Sequence, residues 1–187
     1  LPANGPLSTE IADLNDDGWA DIAVLNRADG PFTPEKNIRI YWGADTGFLL
    51  SQYQDIGLPG ATSLTSADLN GDGVTDLAVL GSNTIRLFFG TRTNSDKIHK
   101  LRDSKVAGFW DGSTNGLDIE LKHSNIELTN GNARCFGVAD VNSDGQPDLV
   151  MGTNRETLYI IHGGGNREWE KVHTISAYPT SSISVGD

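Results

Sequence analysis

The chain has 187 residues, which is enough for one domain with a buried core. Its formal net charge of −11 argues against a nucleic-acid partner, because such a partner needs a basic face. Cys135 is the one cysteine, so no intrachain disulfide can form. The sequence contains no run of about 18 apolar residues, which a membrane-spanning helix would need. We therefore expect a soluble chain held together by packing or by metal ions.

The residue composition favours short strands over helices. Hydrophobic residues make up 37% of the chain, and 22 glycines accompany only 7 prolines. The acidic residues comprise 18 Asp and 7 Glu. Because Asp favours turns and disfavours both strands and helix interiors, we expect the excess acid to lie in loops.

One pattern, Asp-x-Asn-x-Asp-Gly-x-x-Asp, occurs three times in the same register. The copies begin at Asp13, Asp68 and Asp140, 55 and 72 residues apart, and SISVGD places Asp187 at the start of a fourth copy. These intervals bracket the length of a four-stranded propeller blade, and the long middle interval indicates an insertion. The pattern therefore predicts an array of repeats.

In each unit, a short run before the loop and an apolar run after it predict a hairpin, as at Ser63–Ala67 and Leu77–Leu80. A third strand follows at residues 38–43, 85–90 and 158–163, and each ends at a glycine. Residues 48–53 and 169–175 are the best candidates for fourth strands in the first and third units. No segment longer than about ten residues has the apolar period of a helix, so we expect almost none.

The fourth strand of the second unit is the hardest to assign. Residues 102–131 form the predicted insertion, and alternation at Ile119–His123 suggests that this segment contains its own hairpin. The predicted repeat units are approximately 7–55, 61–131 and 132–176 within one domain, 1–187, and a fourth unit begins at 180–187.

The repeated loop offers several oxygen atoms to one centre, as Ca²⁺ requires. Positions 1, 3, 5 and 9 supply side-chain oxygens, position 7 supplies a main-chain carbonyl, and the glycine at position 6 permits the sharp turn. Three Ca²⁺ sites are predicted. Their ligands are Asp13, Asn15, Asp17, Trp19 and Asp21 in the first loop, Asp68, Asn70, Asp72, Val74 and Asp76 in the second, and Asp140, Asn142, Asp144, Gln146 and Asp148 in the third.

Two alternatives to this interpretation were weighed. An EF-hand needs a bidentate Glu at position 12, where this chain has Val24, Val79 and Met151, so that motif is excluded. A simple Asx-rich turn explains one copy but not three in register. Each loop also gathers three carboxylates, which repel one another unless a cation lies between them.

The other candidate residues favour structural roles. The four histidines are spread over different units without zinc-site spacing, and Cys135 precedes Phe136 on a predicted inner strand, where burial is expected. Trp42, Phe48, Trp110 and Trp169 are candidates for stacking on sugars. Packing between sheets is the favoured role for Trp42 and Phe48, and Trp110 is the best exposed candidate.

The chain resembles the FG-GAP and VCBS repeat families in three features. These are the three loops, the strand starts that follow them at Asp21–Val24, Asp76–Val79 and Asp148–Val150, and the glycines that end the third strands. These repeats form the blades of integrin α-subunit propellers. The resemblance implies an all-β fold: a partial β-propeller of three four-stranded blades plus the first strand of a fourth. In that fold, the calcium loop joins the first and second strands of each blade.

Three blades leave open sheet edges, so we expect a fragment, or a chain completed by its remaining blades or by self-association. The resemblance implies a secreted or cell-surface module for adhesion or for binding a protein or glycan, in which Ca²⁺ is structural. Its location would be extracellular, or else periplasmic. We expect no catalytic residue in this chain. The alternatives are the propeller portion of a polysaccharide-active, lyase-like enzyme and a structural subunit of a surface or filament assembly.

Overall fold

The computed structural model describes residues 3, 5–27, 37–58, 60–81, 84–90, 117–120, 133–155, 157–164, 168–176 and 178–184. Every regular element in these ranges is a β-strand, and the twelve strands form three four-stranded antiparallel sheets. The same ranges contain no helix that could span a membrane. The all-β prediction is therefore confirmed for the described residues.

The strands of each sheet follow one another in chain order, so each sheet is a meander. The first sheet contains β1 (Pro6–Ala12), β2 (Asp21–Asn26), β3 (Ile38–Tyr41) and β4 (Tyr53–Ile56). The second contains β5 (Ser63–Ala67), β6 (Asp76–Leu80), β7 (Thr84–Phe88) and β8 (Leu117–Glu120). The third contains β9 (Ala133–Ala139), β10 (Asp148–Thr153), β11 (Thr157–Gly164) and β12 (Glu168–Ser176). Each repeated loop joins the first and second strands of its sheet, as predicted.

The fourth strands differ from prediction in two of the three sheets. Residues 48–52 form a turn, and β4 starts only at Tyr53. Its register pairs Ile56 with Ile38, so Ile56 points into the core. In the second sheet, β8 pairs with β7, so the segment expected to form a separate hairpin supplies the missing outer strand. The third sheet follows the prediction, since β12 contains residues 169–175. The other residues of the predicted insertion, together with Asp187, lie outside the described ranges.

Neighbouring sheets meet along their first strands. β1 contacts β5, and β5 contacts β9. The Ser8 hydroxyl bonds the main chain of Leu64, and the Ser66 hydroxyl donates to the Glu10 carboxylate at 3.2 Å. This order places the three first strands side by side, with the sheets following one another in sequence.

Two apolar clusters fill the spaces between the sheets, and β6 contributes to both. Leu77 and Val79 belong to the cluster shared with the first sheet, whereas Ala78 and Leu80 belong to the cluster shared with the third. Successive side chains of a strand point to opposite faces, so a strand packed on both faces has no polar side. All four side chains are 0% exposed. The second sheet is therefore the centre of the core.

The first sheet packs against the second with one face, and its other face, called the open face below, is only partly exposed, since Val24 on it is 7% exposed. On the open face, Ile11 is 67% exposed and Tyr53 is 44% exposed. Arg39 makes two hydrogen bonds of 2.6 and 2.7 Å to the Asp55 carboxylate, and its guanidinium lies 3.8 Å from the centre of the Tyr53 ring. This face therefore combines exposed apolar side chains with an ordered ion pair.

Substitution of Leu77 with Ala tests the central position of β6. Removing a fully buried Leu side chain costs about 2–5 kcal/mol, because a cavity remains between the first two sheets. We expect a loss of this size in urea denaturation. The matched control is Leu50→Ala, since Leu50 is 61% exposed and the expected change is within about 0.5 kcal/mol. Equal effects of the two substitutions would contradict this packing arrangement.

Candidate metal centre

All three loops follow the same backbone path. Each loop has a left-handed residue at position 4 and another at position 6. At position 4 the φ angles are 56° for Asp16, 75° for Gly71 and 59° for Ser143, and at position 6 they are 87° for Gly18, 81° for Gly73 and 84° for Gly145. The repeated glycine at position 6 is explained by this angle, because a Cβ at Gly18 would meet nothing within 4 Å.

The aspartate at position 1 accepts two main-chain hydrogen bonds across each loop. In the first loop, Asp17 N–H donates to Asp13 Oδ1 at 3.1 Å and Gly18 N–H donates to Oδ2 at 2.8 Å. The corresponding distances are again 3.1 and 2.8 Å in the second and third loops. The three loops thus share these two bonds, and in the second loop Asp68 Oδ1 also accepts from Gly71 N–H at 2.8 Å.

Positions 3 and 5 fold over the same stretch of backbone. Asn15 Oδ1 accepts from Asp17 N–H at 3.1 Å, and Asp17 Oδ1 accepts from Trp19 N–H at 2.9 Å. The other two loops repeat both bonds at 2.8–2.9 Å. A carboxylate or amide oxygen has two lone pairs, so one N–H bond leaves each oxygen able to contact a cation.

The aspartate at position 9 is held differently, because it is fully buried in all three sheets. Asp21 Oδ2 accepts from Leu14 N–H at 2.9 Å, and Oδ1 accepts from Gly43 N–H at 2.7 Å. In the second sheet Asp76 accepts from Leu69 at 2.8 Å and Gly90 at 2.6 Å, and in the third Asp148 accepts from Val141 and Gly163, both at 3.0 Å. One carboxylate therefore joins the loop to the end of the third strand.

Burial raises the pKa of two of these carboxyl groups. The pKa of Asp21 rises to about 7, chiefly through burial; the N–H groups of Gly43 and Leu14 oppose the rise, and the carboxylates of Asp17 and Asp13 add to it. The pKa of Asp76 rises to about 6 for the corresponding reasons. A cation bound in the loop would favour the charged form of both groups.

The predicted ligands of each loop lie in one tight turn, but their carboxylates do not form a closed cage. In the part of the chain that the structure describes, no group of three or more His, Cys, Asp or Glu side chains is gathered closely enough to hold a metal ion. The predicted sets also use an Asn amide oxygen and a main-chain carbonyl, which are not among those side chains. The donor set consists wholly of hard oxygens, and its chemistry fits Ca²⁺.

The third loop has a neighbour that the other two lack. His162 occupies the position taken by the buried Trp42 and Phe89 in the other sheets. Its Nδ1 lies 3.1 Å from Asp148 Oδ1 and 3.3 Å from the Asn142 amide nitrogen. In the sequence His162 and His173 are 11 positions apart and show no zinc-site spacing. The pairing of β11 with β12 nevertheless places the His162 and His173 rings edge to face, 4.8 Å apart.

The remaining candidates divide between core and surface. Trp42 is 7% exposed and Cys135 is buried, as predicted, and burial raises the pKa of the Cys135 thiol. Phe48 is 38% exposed, so the prediction that it packs between sheets is wrong: it lies in the turn before β4. Trp110, His99 and His123 lie outside the described residues, and the Trp169 side chain is not described.

The raised pKa values predict how stability depends on pH when divalent cations are removed. Asp21 and Asp76 bind a proton more tightly in the folded chain than in the unfolded one, where the pKa is 3.8. The stability due to protonation is complete below that value and is lost as the pH rises through about 6 to about 7. We expect the free energy of unfolding in chelator to increase as the pH falls from about 8 to about 5.

Urea denaturation at a series of pH values measures this dependence. The control is the double variant Asp21→Asn and Asp76→Asn, whose neutral amides do not titrate, so its dependence on pH should be weaker. A wild-type stability that is constant or decreases between about pH 8 and about pH 5 would contradict the raised pKa values.

Comparison with solved structures supports a propeller-like fold. A solved complex of BBS1N with ARL6DN, soaked with lead, contains a chain that is 14% identical, with a TM-score of 0.58; the match covers 100% of this chain and 48% of that one. The same complex soaked with mercury gives 15% identity, a TM-score of 0.57, and coverage of 99% and 48%. This chain thus spans about half the length of these neighbours. At such low identity the likeness concerns the fold alone. No curated protein matches the sequence significantly.

The family comparison concerns the first two loops. The family described as FG-GAP-like repeat matches residues 13–79, from the start of the first loop to the strand after the second. This span includes Asp13 and Asp68, the first residues of both loops. The predicted resemblance is confirmed there, and the chain carries an FG-GAP-like repeat over residues 13–79.

Proposed function

We propose that this chain is a non-catalytic, calcium-stabilised part of a β-propeller that binds a protein or glycan ligand outside the cell. The main supporting observation is the shared loop geometry: the three copies of the pattern have the same two left-handed positions and the same two hydrogen bonds at position 1. This backbone path brings the side-chain oxygens at positions 1, 3 and 5 into one tight turn, as a single Ca²⁺ requires.

In this proposal, each Ca²⁺ is held by the side chains at positions 1, 3, 5 and 9 and by the main-chain carbonyl at position 7. Ca²⁺ supplies positive charge among clustered carboxylates that otherwise repel one another. These groups are brought together only in the folded chain, so calcium binding stabilises the native state. Occupation of all three sites would change the formal charge of −11 to −5.

The three sheets serve as blades of a larger ring. Ile22 and Val24 on the open face of the first sheet occupy the same repeat positions as Leu77 and Val79. In the second sheet, Leu77 and Val79 pack against the preceding sheet. By the same repeat logic, the open face of the first sheet receives a further blade, supplied by a longer chain or by a partner. Closed propellers have about 4–8 blades, so three blades form part of a ring.

The ligand-binding surface lies at the loop end of the first sheet. The turn before β4 exposes three apolar side chains, with exposed fractions of 38% for Phe48, 44% for Leu49 and 61% for Leu50. Trp19, at position 7 of the first loop, is 43% exposed and lies beside Gly43, where this turn begins. Contiguous apolar groups at a surface mark contact sites for partners. The solved neighbours are complexes with a protein partner, which supports a protein ligand here.

Calcium titration tests the proposal. We expect wild-type protein to bind three Ca²⁺ and to melt at a higher temperature with calcium than with chelator. Each independent site adds about 2.7 kcal/mol when calcium is 100 times its dissociation constant. Isothermal titration calorimetry and thermal unfolding measure the two effects.

Asp72→Asn and Asp45→Asn are matched variants. Asp72 is an exposed ligand at position 5 of the second loop, so its variant should bind two Ca²⁺ tightly. Asp45 is exposed but lies outside the loops, so its variant should bind three. A melting temperature that is the same with calcium and with chelator would rule out the calcium sites.

A further inference from the structure

In every sheet a glycine lies within two residues of the end of the third strand, and its N–H donates to the carboxylate at position 9. The distances are 2.7 Å from Gly43 to Asp21, 2.6 Å from Gly90 to Asp76 and 3.0 Å from Gly163 to Asp148. The two bonded residues are far apart in sequence, with residue numbers that differ by 22, 14 and 15. This contact therefore forms only when the third strand is in place.

Gly43 is needed at this point because of space rather than backbone angle. Its φ is not in the left-handed region. A Cβ at Gly43 would lie 2.1 Å from the Ala20 carbonyl oxygen and 3.3 Å from the Trp19 Cβ. Ala20 and Trp19 are positions 8 and 7 of the loop, so any larger residue would push the third strand away from the metal loop.

We propose that Gly43, Gly90 and Gly163 are positioning residues for the cation sites. Each glycine brings the third strand close enough for its N–H to orient the carboxylate at position 9. This inference depends on the proposed calcium function and adds that each site requires its own third strand. A loop sequence by itself is not a complete site.

The physical basis is the fixed orientation of the carboxylate. Its two oxygens accept from two N–H groups on opposite sides, one from position 2 of the loop and one from the glycine. This pair of bonds fixes the plane of the group, so its free lone pairs keep one direction as a cation arrives. Without the glycine contact, the carboxylate would become ordered only when the cation binds, and that ordering would reduce the binding free energy of the cation.

The test compares two glycine-to-alanine variants on either side of one turn. Gly43→Ala introduces the clash with Ala20. Gly47→Ala is the control, because Gly47 has a φ of 85° and a Cβ there would meet nothing within 4 Å. The control thus carries backbone strain of about 1 kcal/mol without any contact to the loop.

We expect Gly43→Ala to lose affinity at one calcium site by at least about tenfold, or about 1.4 kcal/mol, and to keep the other two sites unchanged. Gly47→Ala should keep all three. Calorimetric titration of the folded variants measures affinity and number of sites separately from stability. Three unchanged sites in a folded Gly43→Ala protein would overturn the inference. A wild-type protein that binds no calcium would instead overturn the proposed function.

Amide hydrogen exchange tests the same contact when Gly43→Ala does not fold. In wild-type protein, calcium should slow exchange of the Gly43, Gly90 and Gly163 amides. In Asp17→Ala, which removes a ligand from the first loop only, calcium should slow exchange at Gly90 and Gly163 but not at Gly43. If wild-type protein binds three Ca²⁺ while exchange at the three glycines is unchanged, the positioning role is wrong.

Discussion

The buried carboxylate at position 9 is the interaction on which the organisation of each sheet depends. This carboxyl group has no exposure to water, and its burial is too costly for the folded state unless its oxygens accept hydrogen bonds. The two N–H groups that pair with it come from the loop after the first strand and from the end of the third. A single side chain thus holds three consecutive strands in register at one end of the sheet. The apolar faces then decide how sheets stack.

Stacking follows from alternation along the second strand of each sheet. In β6, odd and even positions enter different clusters, so one strand supplies side chains to both neighbouring sheets. Replacing any one of these residues affects a single interface. The first strands complete the arrangement with polar contacts, such as Ser66 to Glu10, because their side chains meet where the sheets converge.

The sequence was sufficient to predict the repeats, the hairpins around the loops and the third strands, because these features depend on short-range patterns. It was insufficient for the fourth strands. Residues 48–50 are apolar but lie in an exposed turn, and Leu117–Glu120 is separated from its partner strand by a long segment, so local pattern cannot reveal the pairing. The position of each fourth strand depends on its pairing with the third strand of the same sheet, which is a long-range contact.

In the candidate site, too, local features could be predicted from the sequence and long-range contacts could not. The acidic positions of the loops and the glycine at position 6 were visible from spacing. The left-handed angle at position 4 was missed, although Gly71 in the second copy was a signal for it. The glycines near the ends of the third strands were also visible as a repeated feature. Their contact with the carboxylate at position 9 could not be predicted, because it joins segments that are distant in the chain. The approach of His162 to Asp148 was missed for a similar reason: it depends on the end of β11 returning to the loop.

The location of β8 also bears on how this fold can vary. Between β7 and β8 the chain has 28 residues, from Phe89 to Gly116, whereas β3 and β4 are joined by 11, from Trp42 to Gln52. Closing the longer connection costs only about 0.8 kcal/mol more on the scaling for flexible loops. In both sheets this connection begins beside the loop that joins the first two strands, since the Gly43 and Gly90 amides bond to Asp21 and Asp76. The second loop nevertheless has the same backbone path as the other two, so the length of this connection can vary at little cost in stability and without altering the loop.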